Sequence, residues 1–270
     1  MITITSDIVR DEVEKFHIRL SNGLEFWAPY EINRVTVQDN NAPRGLGKAS
    51  PDEIRLAAER IIELFPESTA DDVRRKLIDG SLPATDPNPN YKAIDCSGFI
   101  FYVMNGVFQR VYQKDLTNIL SVKKEHILNG ATFDEWKAVH VLTDEEAERL
   151  PEYVPLKWVI ETFHRKPVNM CNITGLMSDY SSEPVAQIAD IQPGDLVRMS
   201  RDDDPTPHAA IVVQKTGTTI SLAHSGRNNP SVPGGVLIEE VPYDQETVHT
   251  EAMEVPRKFV GIRRLKIPES

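Results

Sequence analysis

Apolar residues alternate with polar ones in Phe16-His17-Ile18-Arg19-Leu20 and again in Leu24-Glu25-Phe26-Trp27, with Ser21-Asn22-Gly23 between them. Alternation on both sides of an Asn-Gly corner predicts a β-hairpin. The period then lengthens. Ile54, Ala57, Ala58, Ile61, Ile62 and Leu64 mark one face of a helix. Ser50 stands at its N-cap, Pro51 at its first turn, and Glu53 three residues on completes a capping box. A second short helix is expected from Thr69 to Gly80. Residues 82–90 are too rich in proline for regular structure. They deliver the chain to Asp95-Cys96-Ser97-Gly98, after which Phe99, Ile100, Val103, Met104 and Val107 fit a buried helix.

The stretch from about residue 113 to 185 has the weakest periodicity. It predicts a helix after Thr143 and a strand over Lys157-Trp158-Val159-Ile160, with Trp136 and Trp158 in its core. From Gln192 the pattern shortens to runs bounded by Gly, Pro or Asp: 195–199, 208–214, 218–224, 235–241 and 259–266. Helices followed by five short strands predict an α+β fold, with the helices packed on an antiparallel sheet of about five strands. Polar, Gly- and Asn-rich residues 38–47 read as a linker. They divide an N-terminal accessory segment (1–47) from a main domain (48–270), which carries an insertion at about 113–185.

Composition narrows the function. The chain has 270 residues, with 30 basic against 41 acidic side chains and a net charge of −11. Such a charge disfavours nucleic acid and anionic membrane surfaces. There is no apolar run long enough to cross a bilayer, and no secretory signal pattern at the start. The expectation is a cytoplasmic protein, or one exported by a route without such a signal. Two cysteines cannot make a structural zinc site, and no histidine pair has the spacing of a helical metal motif. No metal or cofactor is expected.

Candidate chemistry converges on three residues. Cys96 opens a helix, where backbone N–H groups and the helix dipole favour a thiolate and can receive an oxyanion; the bland alternative is an inert buried thiol. His208 begins an apolar strand and is the candidate base. A tight hairpin pairing Gln214 with Thr218 would set His208 directly across from His224, close enough for one ring to orient the other. Cys171 reads as an incidental thiol.

Asp95-Cys96-Ser97-Gly98-Phe99, Gln192-Pro193-Gly194-Asp195-Leu196-Val197, His208-Ala209-Ala210-Ile211-Val212-Val213 and His224, taken in order, resemble the signature of the NlpC-type papain-like cysteine peptidases. Gly261-Ile262-Arg263-Arg264 resembles the last strand of such domains. The resemblance covers about residues 50–112 and 190–266. It implies a papain-like fold, Cys96 as nucleophile, His208 as base and His224 as its orienting partner. It also implies cleavage of bacterial cell-wall peptides at γ-D-glutamyl-type linkages without a metal, with Tyr91, Asp95 and Ser97 on the substrate side. Two departures stand out: the long segment between Cys96 and His208, and Asn88-Pro89-Asn90 where the family carries glycines. Two other readings remain open: a binding module that has kept the fold without the chemistry, and an acyltransferase or amidase acting on a non-wall substrate.

Overall fold

The computed structural model describes residues 3–31, 47–80, 82, 92–128, 143–163, 167–200, 208–226, 234–242, 247–248 and 257–267. Helix α1 (Ser6–Glu14) starts on Thr5, whose hydroxyl accepts from the Ile8 amide. It leads into β1 (His17–Arg19) and β2 (Glu25–Trp27), paired antiparallel with Ile18 opposite Phe26. This is the hairpin that the Asn22-Gly23 corner predicts. Val9, Val13, Phe16, Ile18 and Phe26 enter the same core as the later helices. The N-terminal segment is therefore continuous with the main body. The linker expected at 38–47 lies outside the described residues except for Gly47.

Helices α2 (Pro51–Leu64) and α3 (Ala70–Asp79) both open on complete capping boxes, Ser50 with Glu53 and Thr69 with Asp72. Each such cap contributes about 1 kcal/mol. α3 ends on Gly80 at φ 66°, a left-handed geometry that glycine adopts at little cost. Helix α4 (Cys96–Tyr112) is the central element. Phe99, Ile100, Val103, Met104 and Val107 are fully buried along it, as their spacing predicts.

The segment expected as an insertion holds β3 (Ser121–Lys123), α5 (Lys124–Leu128), α6 (Asp144–Arg149), β4 (Tyr153–Pro155), α7 (Leu156–Phe163), α8 (Pro167–Met170) and α9 (Ile173–Leu176). Thr143 and Glu146 box the start of α6 as predicted. The strand expected over 157–160 is instead part of helix α7. Leu156 and Val159 face the core three residues apart, while Lys157 and Glu161 face solvent four apart. That is helical spacing, which a short apolar run disguises. Trp158 packs at the edge of the core; Trp136 lies outside the described residues.

The sheet contains β5 (Ser182–Pro184), β6 (Leu196–Ser200), β7 (His208–Thr216), β8 (Thr219–Gly226), β9 (Gly235–Pro242), β10 (Thr247–Val248) and β11 (Arg257–Leu265). Its order is β10-β11-β6-β7-β8-β9, with β5 added on β11, and every pairing is antiparallel. The five predicted strands are all present. β5 and β10, of three and two residues, are too short to leave a periodicity. The α+β class therefore holds, with a seven-stranded sheet.

The two faces of the sheet differ. Leu196, Ala209, Ile211, Ala223 and Val236 join the core beneath α4, whereas Val197, Met199, Ala210, Val212, Leu222 and Val241 form a second cluster on the reverse face. The two sequence runs 192–197 and 261–264 meet through one ion pair. Buried Asp195 receives both Arg264 Nε at 2.8 Å and Nη2 at 2.9 Å. Among the described residues no helix is long and apolar enough to cross a membrane.

Candidate functional site

Cys96 is the first residue of α4, and Asp95 is its N-cap. The Asp95 carboxylate accepts from the Gly98 amide at 2.6 Å. A short strap crosses behind this turn. The Asp95 amide donates to Gly47 O at 2.7 Å, and the Ala49 amide to Ala93 O at 3.1 Å. Gly98 is required here because an added Cβ would lie 2.9 Å from Gly47 O. The glycine makes room for the strap.

Beneath Cys96 lies a buried polar network that sequence reasoning missed. The Lys48 ammonium donates to Asp95 Oδ1 at 2.9 Å, Ser97 Oγ at 2.5 Å and Cys171 O at 3.0 Å. Lys48, Asp95, Ser97 and Cys171 are all buried. Three sequence-distant segments are thereby pinned to the first turn of α4. The expected substrate-side role of Asp95 and Ser97 is corrected accordingly. Both side chains turn inward, one as cap and counter-ion, the other as a link to the backbone of Cys171. Tyr91 lies outside the described residues. Both thiols are free, and Cys171 Sγ faces Ser97 O at 3.9 Å. No sequence pattern marks Lys48, because its partners are 47 and 123 positions away.

The Cys96 sulfur lies near the start of β7, where the nearby amides of Ala209 and Ser97 favour its ionised form by a small amount. The residue keeps part of its surface exposed. Burial of the sulfur, followed by the charge of Asp95, pushes the thiol up to about 11, against smaller lowering by Lys48 and the two amides. The helix N-terminus was expected to favour a thiolate. Desolvation and the adjacent carboxylate outweigh it, so the resting group is a neutral thiol.

His208 and His224 come together, though not by the expected register. Ile211 pairs with Ala223 and Val212 with Leu222, with a bulge between Val212 and Gln214. Extending this pairing puts His208 across from Gly226, so His224 is its diagonal neighbour. The bulge adds a residue on β7 and shifts the whole strand end. The rings still meet, with His208 Nε2 3.1 Å from His224 Nδ1 and the ring planes at 90°. Gly226 permits it, because a Cβ there would lie 3.2 Å from His224 Nδ1 and 3.3 Å from His208 Cε1.

A third member was not anticipated. His224 Nε2 lies 2.7 Å from Glu239 Oε2 on the neighbouring strand β9, where Leu237 pairs with His224 and Glu239 with Leu222. Glu239 belongs to an alternating run, Ile238-Glu239-Glu240-Val241, and its contact depends on strand order, which sequence does not print. With an ionised Glu239, which can only accept, His224 would carry its proton on Nε2 and accept at Nδ1, and His208 would donate from Nε2.

Strand alternation points the His208 and Ala209 side chains to opposite faces, and the sulfur lies near the amide that joins the two residues. The His208 ring therefore shares the face of Met199, away from α4, and among the described contacts none joins the Cys96 sulfur to either histidine ring. Ser225 Oγ fixes the approach from the other side, donating to Ile94 O at 2.7 Å. Among the described residues no group of three or more His, Cys, Asp or Glu side chains could hold a metal ion. A comparison of the chain with protein-family models, with curated proteins and with solved structures finds no match.

Proposed function

We propose that this protein is a papain-like cysteine hydrolase of peptide or amide bonds, with Cys96 as nucleophile and His208 as general base. The observation that carries the reading is the hydrogen-bonded line Glu239–His224–His208, which ends on the residue before Ala209, whose amide lies near the Cys96 sulfur. A nucleophile, a base and a third group that fixes the base are what acyl transfer from an amide requires.

Because the resting thiol is neutral, the proposed mechanism uses concerted base catalysis in place of a preformed ion pair. Because the His208 ring lies on the face of Met199 and the sulfur beside Ala209, this mechanism requires substrate entry to carry the sulfur past the start of β7 to the face that holds the ring. The thiol proton passes to Nδ1 as sulfur attacks the carbonyl carbon. His208 gains a positive charge, which His224 and Glu239 delocalise and stabilise. The Gly98 amide is committed to Asp95, so the oxyanion falls to the Cys96 amide, joined by the Ser97 amide once the sulfur has moved onto the carbonyl carbon. Collapse expels the amine, which takes the proton from His208. Water, deprotonated by the same nitrogen, then frees Cys96 as the acid product leaves. The resemblance to NlpC-type peptidases favours bacterial cell-wall peptides with γ-D-glutamyl-type linkages as substrates.

Incubation with defined muropeptides, read by mass spectrometry, tests the reading. Cleavage that depends on Cys96 and His208 supports it. Absence of cleavage, with Cys96 no more reactive toward iodoacetamide than an unfolded thiol, favours a second reading. In that reading the fold is a binding module, and the enclosed sulfur held near 11 is the observation in its favour.

A further inference from the structure

Arg198 lies on β6, paired with Ala209 of β7 on one side and with Gly261 of β11 on the other. Directly paired residues project to the same face, so Arg198 shares the face of Ala209, the residue whose amide lies near the Cys96 sulfur. Its neighbours on the strand follow the same division. Leu196 packs beneath α4, while Val197 and Met199 join the reverse cluster. Along this face β6 opens from fully buried Leu196 to half-buried Arg198 and Ser200. On the far side of Arg198 there is room: a carbon added at Gly261 would meet nothing within 4 Å.

The guanidinium is not spent on structure. Among the described residues its Nε is buried and has no hydrogen-bond partner. Other enclosed guanidinium and ammonium groups have acceptors: Lys48 has Asp95, Arg264 has Asp195, Arg263 has Asp179 and Ser182, and Arg74 has Asp71 and the Gly234 carbonyl. The chain has 41 acidic residues to draw on. A buried donor left unanswered among so many acceptors costs stability, and the acceptor that would repay it is one arriving with a ligand. The chain's net charge of −11 also repels an anionic substrate in general, so accepting one requires a cation set at the site itself.

We propose that Arg198 is a carboxylate subsite of the Cys96 centre, selecting peptides or amides that bear an anionic group a few bonds from the attacked carbonyl. The distances fit. Arg198 stands one strand spacing, ~4.8 Å, from the residue beside the sulfur, and its side chain can span that gap. A planar, two-pronged donor matches a carboxylate better than the point charge of a lysine would. The inference rests on the assignment of Cys96 as nucleophile, and its test separates the two.

The test compares alkylation of Cys96 by iodoacetate and by iodoacetamide. Both displace iodide at the same sulfur and differ in one having a carboxylate where the other has an amide. Rates are followed by mass spectrometry of the peptide containing Cys96, in the wild type, Arg198→Gln and Arg198→Lys. The ratio of iodoacetate to iodoacetamide rates should fall about tenfold or more in Arg198→Gln and less in Arg198→Lys, which keeps the charge without the fork. Equal ratios in the wild type and Arg198→Gln overturn the subsite while leaving the nucleophile intact. Because the resting thiol is neutral and enclosed, failure of Cys96 to react with either reagent leaves the rate ratio unread. The subsite is then read by calorimetry on Cys96→Ser with glutaramate and glutaramide. Tighter binding of glutaramate that Arg198→Gln abolishes upholds it, and equal or absent binding of the two refutes it.

Discussion

His208 Nε2 and His224 Nδ1 lie 3.1 Å apart, although the two residues are diagonal and not opposite across the β7–β8 pair. The contact exists because Gly226, which faces His208, leaves empty the space a side chain would fill. The backbone thus sets two rings edge to face in a buried position, and an ionised Glu239 would decide which nitrogen of each carries the proton.

In the proposed mechanism Glu239 acts through the two rings. Replacing it with glutamine removes the acceptor-only partner and frees both histidines to change tautomer. Turnover should fall by roughly ten- to a hundredfold, given that orienting carboxylates in triads are worth up to about 10⁴-fold. Steady-state kinetics should show the loss in kcat with KM nearly unchanged. A purely structural role would lower thermal stability and leave kcat per folded molecule as it was.

Gly226→Ala tests the diagonal contact directly. Its methyl group would crowd His224 Nδ1 and His208 Cε1, at 3.2 and 3.3 Å, and push the rings apart. Displacing a base by ~1 Å can cost on the order of a hundredfold in rate. The expected outcome is a large kinetic loss with a small change in the urea midpoint.

Lys48→Met leaves Asp95 as a buried carboxylate without its cation. The expected cost is about 3–5 kcal/mol in urea unfolding, because breaking one partner of a buried pair strands the other. Removing both charges together should recover part of it. The loss should also loosen α4, because Lys48 ties Ser97 and the backbone of Cys171 to its first turn.

Stability should decline in alkaline solution. Thiols in the unfolded chain ionise near 9.0, whereas burial holds Cys96 to about 11 and Cys171 to about 12 in the folded protein. Between these values the unfolded chain binds fewer protons than the folded one, so raising the pH favours unfolding. The urea midpoint should fall from pH 8.5 upward. Cys96→Ala with Cys171→Ala should flatten that slope.

Local signals in this chain were legible and non-local ones were not. Capping boxes at Ser50, Thr69 and Thr143, the Asn22-Gly23 corner and the apolar spacing after Cys96 all act within a few residues, and each element formed where these signals put it. Helix α7 was misread because three apolar or aromatic residues in a row, Trp158-Val159-Ile160, satisfy either period. The register of His208 and His224 failed at the turn, which closes on Thr216 and Thr219 and not on Gln214 and Thr218, and the bulge past Val212 shifts it once more. Lys48 and Glu239 stayed hidden for a different reason. Their contacts follow from the strap at 47–49 crossing behind α4 and from β9 lying beside β8, which are properties of topology. The expected thiolate failed on energetics, since the dipole of a helix end is weaker than the desolvation of a buried sulfur.

The central claim is that Cys96 carries the acyl group of an amide substrate. Rapid-quench mass spectrometry during reaction with wall-peptide fragments and with other peptide amides measures this directly. The account predicts a transient acyl mass on the peptide containing Cys96, together with cleavage products that vanish in a folded Cys96→Ala variant. Products formed equally well by Cys96→Ala, or a sulfur that never acquires the added mass while substrate is consumed, would contradict it.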